Sequence, residues 1–174
     1  MVNYTVSSDD YSSPIGVYMS EDACLDFEGD DIVDVPSSVF SAVDSAITIS
    51  FWCYGDPNVM PFNSYIFEGR DINGYRVINC HLPWSNSRVY WDAGNSGTSS
   101  YDRVDQAANL EDFSGRWNHW AFTKDVSTGV MNAYLNGSLF MSATGKTRLM
   151  EGITSFRIGG TASSGFNGVY DGKI

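Results

Sequence analysis

The sequence predicts an all-β domain in which two antiparallel sheets stack face to face as a sandwich. Three observations carry this. Large apolar residues recur with a period of two in short runs, most clearly over Ala46–Tyr54 and Trp117–Lys124, and that period belongs to strands. Asn136-Gly137 separates two such runs, a pair that tolerates positive φ at both central positions of a type I′ hairpin. About a dozen runs follow one another at close spacing, punctuated by many of the 17 glycines, with room for almost no helix.

In chain order, Ala23–Phe27 alternates apolar and polar residues, Glu28–Asp31 turns, and Ile32–Pro36 is a strand ended by proline. Ser37–Ser45 is a loop with a helical turn at Ser38–Phe40. Ala46–Tyr54 puts Ile47, Ile49, Phe51 and Cys53 on a core face and Thr48, Ser50, Trp52 and Tyr54 on a mixed one. Tyr65–Glu68 is a short strand, and Gly69–Gly74 a turn. Tyr75–Leu82 is a strand with Arg76, Ile78, Cys80 and Leu82 on one side and Tyr75, Val77, Asn79 and His81 on the other. Arg88–Asp92 and Tyr101–Asp105 are further strands, and Gln106–Phe113 is the one short helix expected. Trp117–Lys124 carries large apolar residues on both sides, so both of its faces are expected to be covered. Val130–Leu135 and Ser138–Ser142 form the hairpin. Ile153–Gly159 and an extended end, Phe166–Ile174, close the chain.

The 174 residues suffice for one sizeable core, and without a repeat or a low-complexity linker they read as a single domain, 1–174, with an N-terminal arm at 1–14. A hydrophobic content of 43% with 14% aromatics excludes a disordered chain. The net charge of −11 argues against nucleic acid and anionic membrane surfaces as partners. No apolar run is long enough for a membrane span, so no membrane insertion is expected. Met1–Pro14 has no basic start and apolar core of the kind a secretion signal needs. Both chain ends are expected to be held by a sheet or by neighbouring subunits. Cys24, Cys53 and Cys80 lie in apolar patterns and read as small buried hydrophobes, with one disulfide left open.

These pieces, in this order, resemble the laminin-G-like or concanavalin-A-like lectin/glucanase group. Leu25–Pro36 resembles the group's opening strand pair and Ile47–Trp52 its next core strand. Trp117–Asp125, Thr128-Gly129 and Tyr134–Gly137 resemble its central hairpin. Phe156–Gly160 and Phe166–Gly168 resemble its closing strands. The resemblance implies a jelly-roll sandwich of the lectin/glucanase type, in many members with a structural calcium ion. It departs from the pattern at the end, where a further strand is expected past Gly172; a shortened strand, the N-terminus or a neighbouring chain would fill that place. The block Asn79–Asp105 is similar to a subset found in marine bacterial surface proteins and bacteriophage structural proteins.

Glycosidases of this fold pair carboxylates on one strand as Glu-x-Asp-x-x-Glu, in which alternation puts the first Glu and the Asp on one face. None of the five glutamates has that spacing. The lyase versions use a Tyr or His base with Gln-x-His on a strand; His81 follows Asn79 instead, and His119 between tryptophans reads as a packed histidine. No nucleophile elbow or phosphate loop is present. The chain is therefore expected not to be an enzyme.

Trp84, Tyr90, Trp91, Tyr101 and Arg103 fall in a loop-rich region and combine flat apolar rings with a guanidinium, as carbohydrate recognition requires. Tyr90 and Trp91 are neighbours on one strand, so at least one of them packs in the core. Asp26, Glu28 and Asp171 are the candidate calcium ligands: the first two lie at a dense acidic turn, and the resemblance brings the third to it. The expected function is a non-catalytic lectin-like module that binds carbohydrate or mediates attachment to a host or cell-surface glycan, outside the cell or on a virion. The alternative is a bacteriophage capsid-decoration or tail-associated protein, with other virion proteins or further copies of itself as partners. A polysaccharide-degrading enzyme ranks last.

Overall fold

The computed structural model describes residues 24–163 and 168–174. The expected arm at 1–14 lies outside them, as does most of the Phe166–Gly168 segment. Among the described residues twelve strands form two six-stranded sheets. They are β1 (Asp26–Glu28), β2 (Val33–Val35), β3 (Ala46–Gly55), β4 (Phe67–Asp71), β5 (Arg76–His81), β6 (Arg88–Ala93), β7 (Asp102–Ala107), β8 (Asn118–Asp125), β9 (Val130–Leu135), β10 (Ser138–Ala143), β11 (Ile153–Ile158) and β12 (Asp171–Lys173). One sheet runs β1-β12-β3-β8-β9-β10 and the other β2-β11-β4-β5-β6-β7. Every pairing between these strands is antiparallel. Consecutive strands β4–β7 and β8–β10 are joined as meanders, while β1, β2, β11 and β12 cross between distant parts of the chain, as a jelly roll requires.

The hairpin forms as its sequence dictates. Asn136 and Gly137 both hold positive φ, 50° and 82°, and Ser138 pairs with Leu135. The helical turn is Ser37–Phe40, and β12 is three residues long, seated between β1 and β3. The expected helix contracts to α1 (Leu110–Phe113), because β7 continues to Ala107 along the whole of β6. Cys53 and Cys80 are buried as expected, but Cys24 is exposed; all three are free thiols.

Between the sheets lies an aromatic core. Trp91, Phe67 and Phe156 of one sheet meet Phe51, Trp120 and Phe122 of the other, with Phe67 and Trp91 each within about 6 Å of Phe122. Lys124 occupies a core-facing position of β8 and is buried. Its ammonium reaches across the sandwich to the Ala93 carbonyl (2.6 Å) and the Asp102 carboxylate (2.8 Å). Burial pulls its pKa below the ordinary range, opposed by Asp102. Gly94 makes room for this strut: it sits at φ +81°, and a Cβ there would collide with the Arg148 carbonyl and stand 2.6 Å from the Lys124 Nζ.

β8 corrects one expectation. Asn118, Trp120, Phe122 and Lys124 are buried, but Trp117, 44% exposed, lies on the uncovered side among the described residues. Trp52, 57% exposed on β3, faces His119 on that same side.

Candidate functional site

The outer face of the second sheet, turned away from the core, carries a continuous row of polar side chains. In register across it run Asp34 (β2), Arg157 (β11), Glu68 (β4), Asn79 (β5), Asp92 (β6) and Arg103 (β7). One polar residue from every strand thus stands in a single row. The next row holds His81, Tyr90 and Asp105. Between the two, Cys80, Trp91 and Val104 point the opposite way, into the core.

That parity settles the two neighbouring aromatics. Trp91 is fully buried and packs on Phe67 and Phe122, its indole N–H donating to the Thr123 carbonyl at 3.1 Å. As a ligand-binding residue Trp91 is therefore corrected to a core residue: a strand sends successive side chains to opposite faces, and Tyr90 took the outer one.

A β-bulge sets the rest. Gly69 pairs with Ile78 but Arg70 pairs with Arg76, so Val77 is the extra residue on β5. Simple alternation puts Arg76 on the side of Ile78 and Cys80; the bulge turns it to the side of Asn79 and His81. There it lies between two buried carboxylates, with Nε donating to Glu68 (3.1 Å) and Nη1 to Asp92 (2.7 Å). Arg103 grips Asp92 with two bonds, Nε to Oδ1 at 2.6 Å and Nη2 to Oδ2 at 2.8 Å, and also reaches the Tyr101 hydroxyl at 3.3 Å. Glu68 further accepts from both Nε and Nη2 of Arg70, from the Thr161 hydroxyl and from the Ala162 N–H. Burial pushes the Glu68 carboxyl up, but the bonds from Arg70 and Thr161 and the charges of Arg70 and Arg76 outweigh it and hold the carboxyl below its ordinary range. Hydrogen bonding to Asp92 drives the Arg103 pKa upward, so it is charged at any accessible pH.

On this floor stands a cleft of about 250 Å³ lined by Tyr65, Arg76, His81, Trp84, Tyr90 and Arg103. Trp84 begins the turn between β5 and β6, which closes through the Trp84 N–H to Arg88 and the Ser87 N–H to Trp84, both 2.9 Å. Its ring meets the edges of His81 and Tyr65 at 4.2 and 6.0 Å. The Arg103 guanidinium lies over Tyr90 and Tyr101, and that of Arg76 over Tyr65 and Tyr101, all within 6 Å of the ring centres. The structure thus brings together Trp84, Tyr90, Tyr101 and Arg103 and adds Tyr65, Arg76 and His81, which the sequence reading did not assign to the site.

His81 is 4% exposed, and its Nδ1 lies 2.8 Å from the Ser64 carbonyl, to which it donates. Burial pulls its pKa down to about 4, so near neutrality it is an uncharged ring with an acceptor at Nε2. Because the folded pKa lies below the ordinary 6.5, the unfolded chain takes the proton first. The stability tied to His81 is complete above about pH 6.5 and is lost as pH falls toward 4, by roughly 3 kcal/mol at most. Denaturant midpoints measured between pH 7 and 4.5 should show this slope, and His81→Gln should flatten it; an unchanged slope in the variant would contradict the assignment.

The candidate calcium ligands lie elsewhere, at the β1–β12 end. Glu28 pairs with Asp171 and Asp26 with Lys173, and Asp26 forms an ion pair with the Lys173 ammonium. Partial burial, then Asp56, Asp26 and Glu28, push the Asp171 carboxyl up. Among the described residues no three His, Cys, Asp or Glu side chains are grouped as metal ligands.

Two six-stranded sheets bearing a polar cleft on an outer face make this a lectin-type sandwich. The model of the concanavalin A-like lectin/glucanases superfamily matches residues 27–174, and the chain belongs to that family. Solved structures agree on the fold. Domain 4 of AbnA, a GH43 extracellular arabinanase from Geobacillus stearothermophilus in complex with arabinotriose, is 17% identical with a TM-score of 0.62 over 86% of this chain and 66% of that one. The CBM40 of the Ruminococcus gnavus IT-sialidase, bound to α2,3 sialyllactose, is 16% identical with a TM-score of 0.63 over 87% and 85%. Domains LG4-5 of the mouse laminin α1 chain are 12% identical with a TM-score of 0.64 over 86% and 39%. No curated protein matches the chain. Among the described residues no helix is long and apolar enough to cross a membrane.

Proposed function

We propose that the chain is a non-catalytic carbohydrate-binding module whose site is the cleft of Tyr65, Arg76, His81, Trp84, Tyr90 and Arg103. The carrying observation is the composition of that cleft: aromatic rings beside guanidinium edges fixed from below. Rings cover the apolar C–H faces of a sugar, and oriented N–H groups bond its oxygens. The arabinanase domain and the CBM40, seen with arabinotriose and sialyllactose, lend support at the level of fold.

A binding role rather than catalysis is supported by the state of the carboxylates. A general acid needs a raised pKa and access to substrate. Glu68 is fully buried, bonded on both oxygens and held below its ordinary range, and Asp92 is fully buried between two arginines. Display on a virion concerns where such a module is carried, not what the cleft does. Calcium at Asp26, Glu28 and Asp171 draws support from the crowding of Asp171 by other carboxylates, while Lys173 already supplies a cation to Asp26.

A glycan array followed by titration calorimetry tests the reading. Trp84→Ala should weaken any glycan found by tenfold or more, since stacked surface of this size contributes about 1.5–3 kcal/mol, with the melting temperature nearly unchanged. Undiminished binding by the variant would remove the cleft from the function, and turnover of a bound polysaccharide would overturn the non-catalytic role.

A further inference from the structure

We infer that the cleft selects saccharides bearing a carboxylate. This rests on the carbohydrate-binding reading and follows from how charge is layered. The two carboxylates of the site lie at the bottom, with the Glu68 and Asp92 side chains 0% exposed. The guanidiniums lie above them, with Arg76, Arg70 and Arg103 side chains 14%, 22% and 35% exposed. A ligand arriving from solvent therefore meets cations first. Two guanidiniums, Arg76 and Arg103, line the cleft above two carboxylates sealed beneath them, and Arg70 beside the cleft shares Glu68 with Arg76, so the charge a ligand can reach is positive on a chain of net charge −11.

Donor geometry points the same way. A guanidinium has five N–H groups. Arg76 uses Nε and Nη1 on Glu68 and Asp92; Arg103 uses Nε and Nη2 on Asp92 and Tyr101. Among the described residues Arg103 Nη1 has no protein partner, while Arg76 also hydrogen-bonds the Tyr65 side chain, and both arginines line the cleft. A carboxylate takes such N–H groups as charge-assisted bonds, stronger than those a neutral hydroxyl makes. The anchors cost little to order, because Asp92 already fixes both. Tyr65, Trp84 and Tyr90 stand beside them to hold the sugar ring that carries the acid.

Titration of the full chain with matched pairs tests this: oligogalacturonate against its methyl ester, for acids along a polymer, and sialyllactose against lactose, for a single terminal acid. A sulfated oligosaccharide serves as a third anion. At least one acid should bind ten times or more tighter than its neutral partner, with the margin shrinking in high salt. Whichever pair shows the margin identifies a polymeric or a terminal acid. Arg103→Lys should narrow the margin and Arg103→Gln erase it, whereas Trp84→Ala should weaken acid and neutral partner alike. Neutral sugars binding as tightly as acids, through Trp84, would overturn the inference and leave the module a neutral-sugar binder. Sulfate preferred over both acids would also overturn it. No binding by any saccharide would overturn both readings.

Discussion

Replacing Asp92 with asparagine is expected to lower stability by about 3 kcal/mol, with a fall in melting temperature of roughly 6–12 °C, and to weaken ligand binding by more than tenfold. The change keeps side-chain volume and removes only charge. Asp92 is fully buried and receives Arg76, Arg103 and the Asn79 amide. Without it Arg103 loses its carboxylate partner, and Arg76 keeps only Glu68, which it shares with Arg70. The cost falls at the lower end of the range for broken buried pairs because Arg103 is 35% exposed and can turn to water. That same turn removes it from the cleft. Thermal melts, with titration of whichever glycan is bound, report both losses. A double-mutant cycle with Arg103→Gln should show coupling of at least 1 kcal/mol, and additive effects would mean that the two side chains act independently. A variant as stable and as competent as the parent would show that Asp92 does not organise the site.

Trp91→Ala should be the most damaging single truncation in this region, costing about 3–5 kcal/mol. The indole is fully buried against Phe67 and Phe122 and donates to Thr123 of the opposite sheet, so its removal opens a cavity and leaves the Thr123 carbonyl without that donor. Trp84→Ala, seven positions earlier, removes a ring of equal size from a half-buried turn and should leave the melting temperature within about 2 °C of the parent. Calorimetric melts of the two variants decide the matter: equal destabilisation would mean that Trp84 is structural and would take away the main apolar wall of the cleft.

The sandwich was legible because its signals are local. Alternation over Ala46–Tyr54 and Trp117–Lys124, and the Asn136-Gly137 turn, each specify geometry within a few residues. Half of the candidate site was legible for a similar reason: Trp84, Tyr90, Tyr101 and Arg103 lie in consecutive strands and their connections, which fold back on one another. What escaped is what depends on strand pairing. Arg76 reaches the outer face only through the bulge at Val77, and no residue type announces a bulge there. Tyr65 reaches the cleft from a segment preceding β4, and His81 joins it only once β4, β5 and β6 are side by side. Glu68 and Asp92 look like ordinary surface acids until cross-strand arginines bury them. Trp91 and Tyr90 could be separated only by the parity of β6, which either neighbour could have satisfied.

The row of Asp34, Arg157, Glu68, Asn79, Asp92 and Arg103 also guards the folding of the sheet against misalignment. A slip of one residue between any two of these strands would drive a charged side chain into the aromatic core. A slip of two would keep the faces but part each acid from its arginine, leaving ions stranded at low exposure. The chemistry offered to a passing ligand and the rule by which six strands find their partners are thus written in the same side chains.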